Sequence, residues 1–150
     1  MQGFSTKITM AAPPEQVFAR ASDLRKAPET MTAIVQLEVL NDGPIGKGTR
    51  FRETRRMFGK EATEEMEIVE FNAPHHYAVG AENHGCSYHT DLHFRPVNGG
   101  TEVEMVFKAK ANTFMAKVMA FLMKPMMKMV MKSCRQDLED LKAAIEAGKP

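Results

Sequence analysis

Apolar and polar residues alternate from the start of the chain. Phe4, Thr6, Ile8 and Met10 fall on one side and Ser5, Lys7 and Thr9 on the other, the period of a half-buried strand. Pro13-Pro14 ends that run. The stretch PEQVFARASDL then takes a helical period with Pro14 at the first helical position, and a second short helical piece near residues 23–27 is expected to stop at Pro28. Residues 34–40 (IVQLEVL) read as the next strand and NDGPIGKG as a loop. A series of hairpins follows. GTRFRETRRMF and EATEEMEIVEF flank Gly59-Lys60, HHYAVGAEN and CSYHTDLHF flank His84-Gly85, and TEVEMVFKAKA follows the turn VNGG. From Asn112 to the end the period is helical. One strand, two short helices, six strands and a long helix predict an α+β fold: a seven-stranded antiparallel sheet with the C-terminal helix covering one face. No internal repeat or linker interrupts the pattern, so residues 1–150 read as one domain.

Parity along the hairpins predicts which side chains face inward. With Gly59-Lys60 as the turn, Phe58 pairs with Glu61, Phe51 opposes Ile68, Glu53 opposes Met66, Arg55 opposes Glu64, and Met57 opposes Ala62. The other face sets Arg52 against Glu67, Thr54 against Glu65 and Arg56 against Thr63, a charged ladder that belongs in water. The first face therefore points inside. The same exercise places Tyr77, Val79, Ala81, Tyr88, Thr90, Leu92 and Phe94 inside, joined by Val103, Met105 and Phe107. His76, Glu82, His89, Asp91, His93, Arg95, Glu102 and Glu104 lie outside. Glu53, Arg55 and Glu64 thus sit on an otherwise apolar inner face, where each buried charge costs several kcal/mol unless paired. Two readings stay open: a structural ion-pair network at the mouth of the sheet, or a polar set that orients a ligand.

The segment FMAKVMAFLMKPMMKMVMKSC, residues 114–134, holds seven of the chain's thirteen methionines. At helical spacing Met115, Val118, Met119, Leu122, Met123, Met126, Met129 and Val130 share one broad side, with Lys117, Lys124 and Lys128 opposite. Cys134, Leu138, Leu141 and Ile145 continue a narrower stripe, and Pro125 should kink or break the helix. Methionine is flexible and polarizable, so this side suits core packing or the adaptable wall of a cavity. A lysine-flanked apolar helix also suits a membrane interface or a partner's groove.

Composition adds limits. The chain has 150 residues, 43% of them hydrophobic and 26% charged, and a net charge of +1, ordinary values that give no electrostatic case for nucleic acid. Two cysteines suggest a reducing compartment, and no signal peptide or run of about 18 apolar residues is evident, so a cytoplasmic protein is expected. His89-x-Asp91-x-His93 has metal-like spacing but falls on the exposed face, where polar alternation explains it. Neither Cys86 nor Cys134 has partners for nucleophilic catalysis in the local sequence, and both read as packing residues. NDGPIGKG lacks phosphate-loop spacing, and the arginines of RFRETRR are interleaved with glutamates.

PPEQVFARASDL, GKGTRFRE, EIVEFNAPHHYAV, LHFRPVNGGTEVEMVF and DLEDLKAAIE, in that order, resemble the START-like SRPBCC superfamily, in its polyketide cyclase/dehydrase and lipid-transport branch. The resemblance covers nearly the whole chain. It implies a helix-grip fold, in which a curved antiparallel sheet wraps the long C-terminal helix around a deep cavity. It also implies binding of lipids, sterols, polyketides or other hydrophobic molecules, with cyclases or aromatases among the members. Several relatives carry tryptophan after the second short helix; this chain has Met31 there and no tryptophan anywhere. The superfamily shares no catalytic motif, so no catalytic residue carries over.

The expected cavity wall is Phe51, Met57, Met66, Tyr77, Tyr88, Leu92, Phe94, Met105 and Phe107, closed from the helix by Met119, Leu122, Met123 and Met126. Arg55, with Glu53 and Glu64, would orient the polar end of a hydrophobic or amphipathic ligand, and Tyr88 and Thr90 would hydrogen-bond it. The alternative is a polyketide cyclase or dehydratase with Glu53 or Glu64 as general acid or base beside Arg55. A further alternative is a membrane-associated lipid carrier. No cofactor, metal ion or nucleic-acid partner is expected, and the sequence leaves the oligomeric state open.

Overall fold

Strand β1 (Gln2–Met10) pairs antiparallel with the last strand, β7 (Gly100–Ala111), and so brings the two ends of the sheet's sequence together at one edge. The computed structural model describes residues 2–57, 59–83 and 85–147, apart from the side chains of Gln2 and Met57. Between those strands run α1 (Pro14–Ala21), a single 3-10 turn, α2 (Ala27–Thr30), β2 (Ile34–Val39), β3 (Arg50–Met57), β4 (Lys60–Asn72), β5 (His76–Asn83) and β6 (Cys86–Val97). The seven strands form one antiparallel sheet in the order β1-β7-β6-β5-β4-β3-β2. Two helices complete the chain, α3 (Phe114–Leu122) and α4 (Met127–Glu146).

Pro28 does not end the second helical piece. It lies in the first turn of α2, where its missing N–H costs no hydrogen bond. The β3–β4 hairpin is shifted by two residues from the expected register: Met57 pairs with Lys60, Arg55 with Ala62, Glu53 with Glu64 and Phe51 with Met66. The turn glycine explains the shift. Gly59 has φ +77°, the left-handed backbone that only glycine holds without strain, so it sits within the turn and Lys60 already belongs to the strand. The expected Phe58–Glu61 pair does not form, because Glu61 pairs with Arg56; Phe58 and His84 themselves lie outside the described residues. A shift of two preserves parity, so Arg52 stays on the exposed face, opposite Glu65 in place of the expected Glu67, and contacts Glu65 at 2.8 Å and Glu38 at 3.0 Å. At Val69 a bulge resets β4, and Ile68 and Phe71 both reach the inner side.

The C-terminal helix breaks where proline requires. Pro125 sits in a 3-10 turn over Lys124–Met126, and the chain resumes as α4 at Met127. Helix α4 lays Leu138, Leu141 and Ile145 against Met10, Phe18, Phe94 and Val103, which forms the main core at the β1, β7 and α1 side. A second core of Leu24, Phe51 and Ile68 lies toward β2 and β3. The space between these two packed regions is the cavity.

Candidate functional site

The inner sheet face and α4 enclose a cavity of about 390 Å³. Strand alternation delivers its wall. Phe51 and Met66 come from β3 and β4, Tyr77 and Val79 from β5, Tyr88, Thr90 and Leu92 from β6, and Met105 and Phe107 from β7. Met31, Ile34 and Leu37 close one side, and Val130, Ser133, Cys134, Leu138 and Leu141 of α4 close another. Among these apolar side chains stand Glu53, Arg55, Glu64 and Asp137.

Arg55 organises the polar group. Its Nε donates to Glu53 Oε1 at 3.0 Å, Nη1 donates to Asp137 Oδ1 at 3.0 Å, and Nη2 lies 2.9 Å from Asp137 Oδ2. The Asp137 pair is therefore bidentate, the strongest geometry a guanidinium offers a carboxylate. Side chains of all three residues are at most 19% exposed. Burial pushes the Glu53 carboxyl above its usual value, and Arg55 only partly offsets this. The same holds for Asp137. Arg55 is itself held more firmly charged than usual, because Asp137 and Glu53 outweigh the effect of its burial.

The expected partner Glu64 is not in this pair. The two-residue register shift moves it two ladder pairs along from Arg55, where it stands across from Glu53 and accepts a 3.1 Å hydrogen bond from Asn83 Nδ2. Sequence reasoning missed Asp137. Its signal was present: Cys134, Asp137, Leu138 and Leu141 follow i, i+3, i+4, i+7 spacing, so an acid interrupts the apolar stripe of α4.

Other polar groups of the wall are neutral. Burial raises the Tyr77 phenol, which donates to the Ala21 carbonyl at 3.1 Å. Burial pushes Tyr88 up to about 12, with Cys86 adding to the shift. The Cys134 thiol is pushed up to about 11 by burial and by Asp137, so it is a poor nucleophile.

Several expected wall residues lie elsewhere. Phe94 faces inward but is 1% exposed and belongs to the core, where Phe18 meets its ring edge-on at a centroid distance of 5.0 Å. Met119, Leu122 and Met123 are exposed, and Met126 is half-buried outside the cavity. The break at Pro125 separates their helix from α4, and of the two C-terminal helices α4 is the one whose side chains line the cavity, beside Ala21, Leu24 and Ala27 from the helical segment after β1. The side chain of Met57 lies outside the described residues.

On the opposite face, His76 Nε2 lies 2.8 Å from Asp91 Oδ1, and His89 Nε2 lies 3.2 Å from Asp91 Oδ2. The His76 and His93 rings stack at 4.6 Å and 21°. One ligand atom from each of His76, Asp91 and His93 lies within 4.8 Å of the others. A metal ion must lie near the plane of each imidazole, and near-parallel rings do not aim at one point. His76, His89 and Asp91 thus form a polar surface network on which the His93 ring stacks. A wider depression of about 580 Å³ on this outer face is bordered by Arg50, Glu65, Glu67, Lys108 and Lys110. Of these two spaces, the inner cavity combines apolar walls with convergent buried polar groups, and it is the candidate site.

A curved antiparallel sheet gripping a C-terminal helix around an internal cavity defines the START-like helix-grip class. The chain belongs to the polyketide cyclase/dehydrase and lipid transport family, whose profile matches residues 1–146. The fold is similar to that of TTHA0849 from Thermus thermophilus, with a TM-score of 0.81 and 20% identity over 99% of this chain and 100% of that one. It is also similar to a START superfamily protein from Mycobacterium smegmatis, with a TM-score of 0.74 and 14% identity over 97% of each chain. The di-domain ARO/CYC StfQ from the steffimycin biosynthetic pathway gives a TM-score of 0.79 and 14% identity over 97% of this chain and 52% of that one. No curated protein matches the sequence significantly. Among the described residues, no helix is long and apolar enough to cross a membrane.

Proposed function

We propose that the chain is a single ligand-binding domain that takes a hydrophobic or amphipathic small molecule, of lipid or polyketide type, into the cavity between sheet and α4. The observation that carries this reading is the wall itself: Phe51, Met66, Leu92, Met105 and Phe107 surround a space with one buried ion-pair cluster at its side. Two carboxyl groups flank a single guanidinium, so the cluster offers no surplus positive charge to a carboxylate. It suits a neutral polar end, a hydroxyl or a carbonyl, which Tyr88 and Thr90 also serve. The test is titration with an uncharged naphthylamine probe that fluoresces in apolar surroundings, followed by displacement with a fatty alcohol or the matching fatty acid. Thr90→Phe, which fills cavity space, is expected to weaken probe binding at least about tenfold, or about 1.4 kcal/mol, with unfolding temperature unchanged. The alcohol should displace better than the acid. Equal probe affinity in Thr90→Phe would place the ligand elsewhere.

The raised Glu53 carboxyl favours a second reading. A buried acid beside Arg55 has the character of a general acid or base for cyclisation or dehydration of a polyketide-type substrate. The ARO/CYC name of one structural neighbour is in keeping with this. Under this reading Glu53→Gln lowers turnover by about 10²-fold or more while probe affinity stays within a few fold. Turnover that survives the change sinks it.

A further inference from the structure

Helix α3 is mounted with its apolar side outward. At helical spacing Phe114, Val118, Leu122, Met115, Met119 and Phe121 span one broad arc, and Ala116 and Ala120 fall opposite. The alanine side is the packed one. Ala116 is buried against the turn at Gly85, where a Cβ on the glycine would meet Ala116 Cβ at 3.3 Å and Thr113 Oγ1 at 2.8 Å. Thr113 caps the helix by accepting from Ala116 N at 3.1 Å, so this orientation is fixed at its first turn. The large side chains meet solvent: Phe114 is 77% exposed and Phe121 72%. A contiguous apolar surface of this kind marks an interaction site.

Charge identifies the partner. Lys117, Lys124, Lys128 and Lys132 are all exposed, and no acid occurs between Asn112 and Cys134. Four positive charges thus gather in one segment of a chain whose net charge is +1. Pairing this face with its own copy would bring two sets of lysines together without counter-charge. A bilayer with anionic headgroups offers both an apolar layer and the opposite charge.

We propose that α3, with the lysines that follow it, docks on an anionic membrane surface, its phenylalanine and methionine side chains entering the headgroup boundary. The proposal does not depend on what the cavity holds. Where the cavity does bind a lipid-like molecule, docking brings the bilayer close to the first turns of α4, whose Val130, Ser133 and Cys134 are cavity wall.

The test is co-sedimentation of the full chain with vesicles of phosphatidylcholine alone, or of phosphatidylcholine mixed with phosphatidylglycerol, at low and high salt. Binding to the anionic vesicles is expected, at least about tenfold stronger than to the neutral ones and weakened by salt. Two variants separate the contributions: Phe114→Ser with Phe121→Ser, and Lys117→Gln with Lys124→Gln and Lys128→Gln. All five positions are exposed, so both variants should keep the wild-type unfolding temperature while losing at least about tenfold in vesicle binding. Failure of the wild type to sediment, or equal binding to neutral vesicles, overturns the proposal. So does a dimer that the phenylalanine variant dissociates, because that result gives the face to a second copy.

Discussion

Arg55→Met is expected to cost about 3–5 kcal/mol of stability at neutral pH, because it leaves two buried carboxyl groups without the cation that pairs with both. The sign of its pH dependence follows from the carboxyls. Burial holds Glu53 and Asp137 above their ordinary values of 4.5 and 3.8 in the folded protein. A group whose folded pKa is raised contributes stability fully below its unfolded pKa, and the contribution is lost as pH rises through the folded pKa. Without Arg55 nothing offsets burial, both values rise further, and the loss at neutral pH deepens. Lowering the pH protonates both acids and removes the penalty in the variant, while the wild type forfeits its ion pairs. The gap between the two proteins should therefore narrow as the pH falls. Urea unfolding of both proteins at neutral and acid pH measures it. A gap independent of pH would mean that Arg55 acts by packing alone. Replacing the whole cluster, Glu53→Leu with Arg55→Met and Asp137→Leu, should recover most of the stability, since a buried ion cluster is commonly exchangeable for apolar residues of similar volume. What it should not recover is preference among ligands with different polar ends.

That cluster also shows what the sequence carries and what it does not. Placing Glu53 and Arg55 inside required only strand parity, and parity survived a two-residue error in the hairpin register because the side-chain period is two. Identifying both partners of Arg55 required more than parity: of the expected Glu53 and Glu64, Glu53 is its partner on the sheet, and the second, Asp137, lies 82 residues away on α4. The methionine segment fails for a different reason. Periodicity tells which residues share a helix face but not which way that face looks. Once Pro125 separates α3 from α4, α3 is free to settle on its alanines, and the small residues that allow close approach to the Gly85 turn decide its orientation. No hydrophobicity pattern ranks two alanines above six large apolar side chains.

Depth along a strand is a further quantity that parity omits, and Phe94 isolates it. Phe94 shares its side of β6 with Leu92, Thr90 and Tyr88, yet it stacks on Tyr77 at 5.9 Å and meets Phe18 of α1, while the other three line the cavity. Phe94→Ala is therefore expected to cost about 3–5 kcal/mol, since it opens a void in a packed aromatic cluster. For a chain of this size the corresponding fall in unfolding temperature is on the order of 10 °C. Phe107→Ala serves as the control. Phe107 is half-buried, stacks on Phe4 at 5.1 Å, and already has cavity space beside it. It should lose less stability and change affinity for the uncharged probe more. Thermal unfolding and probe titration on the two variants give both readouts. If Phe94→Ala proves the milder change for stability and the larger one for probe affinity, the cavity extends past Leu92 toward α1, and the boundary between core and binding wall moves with it.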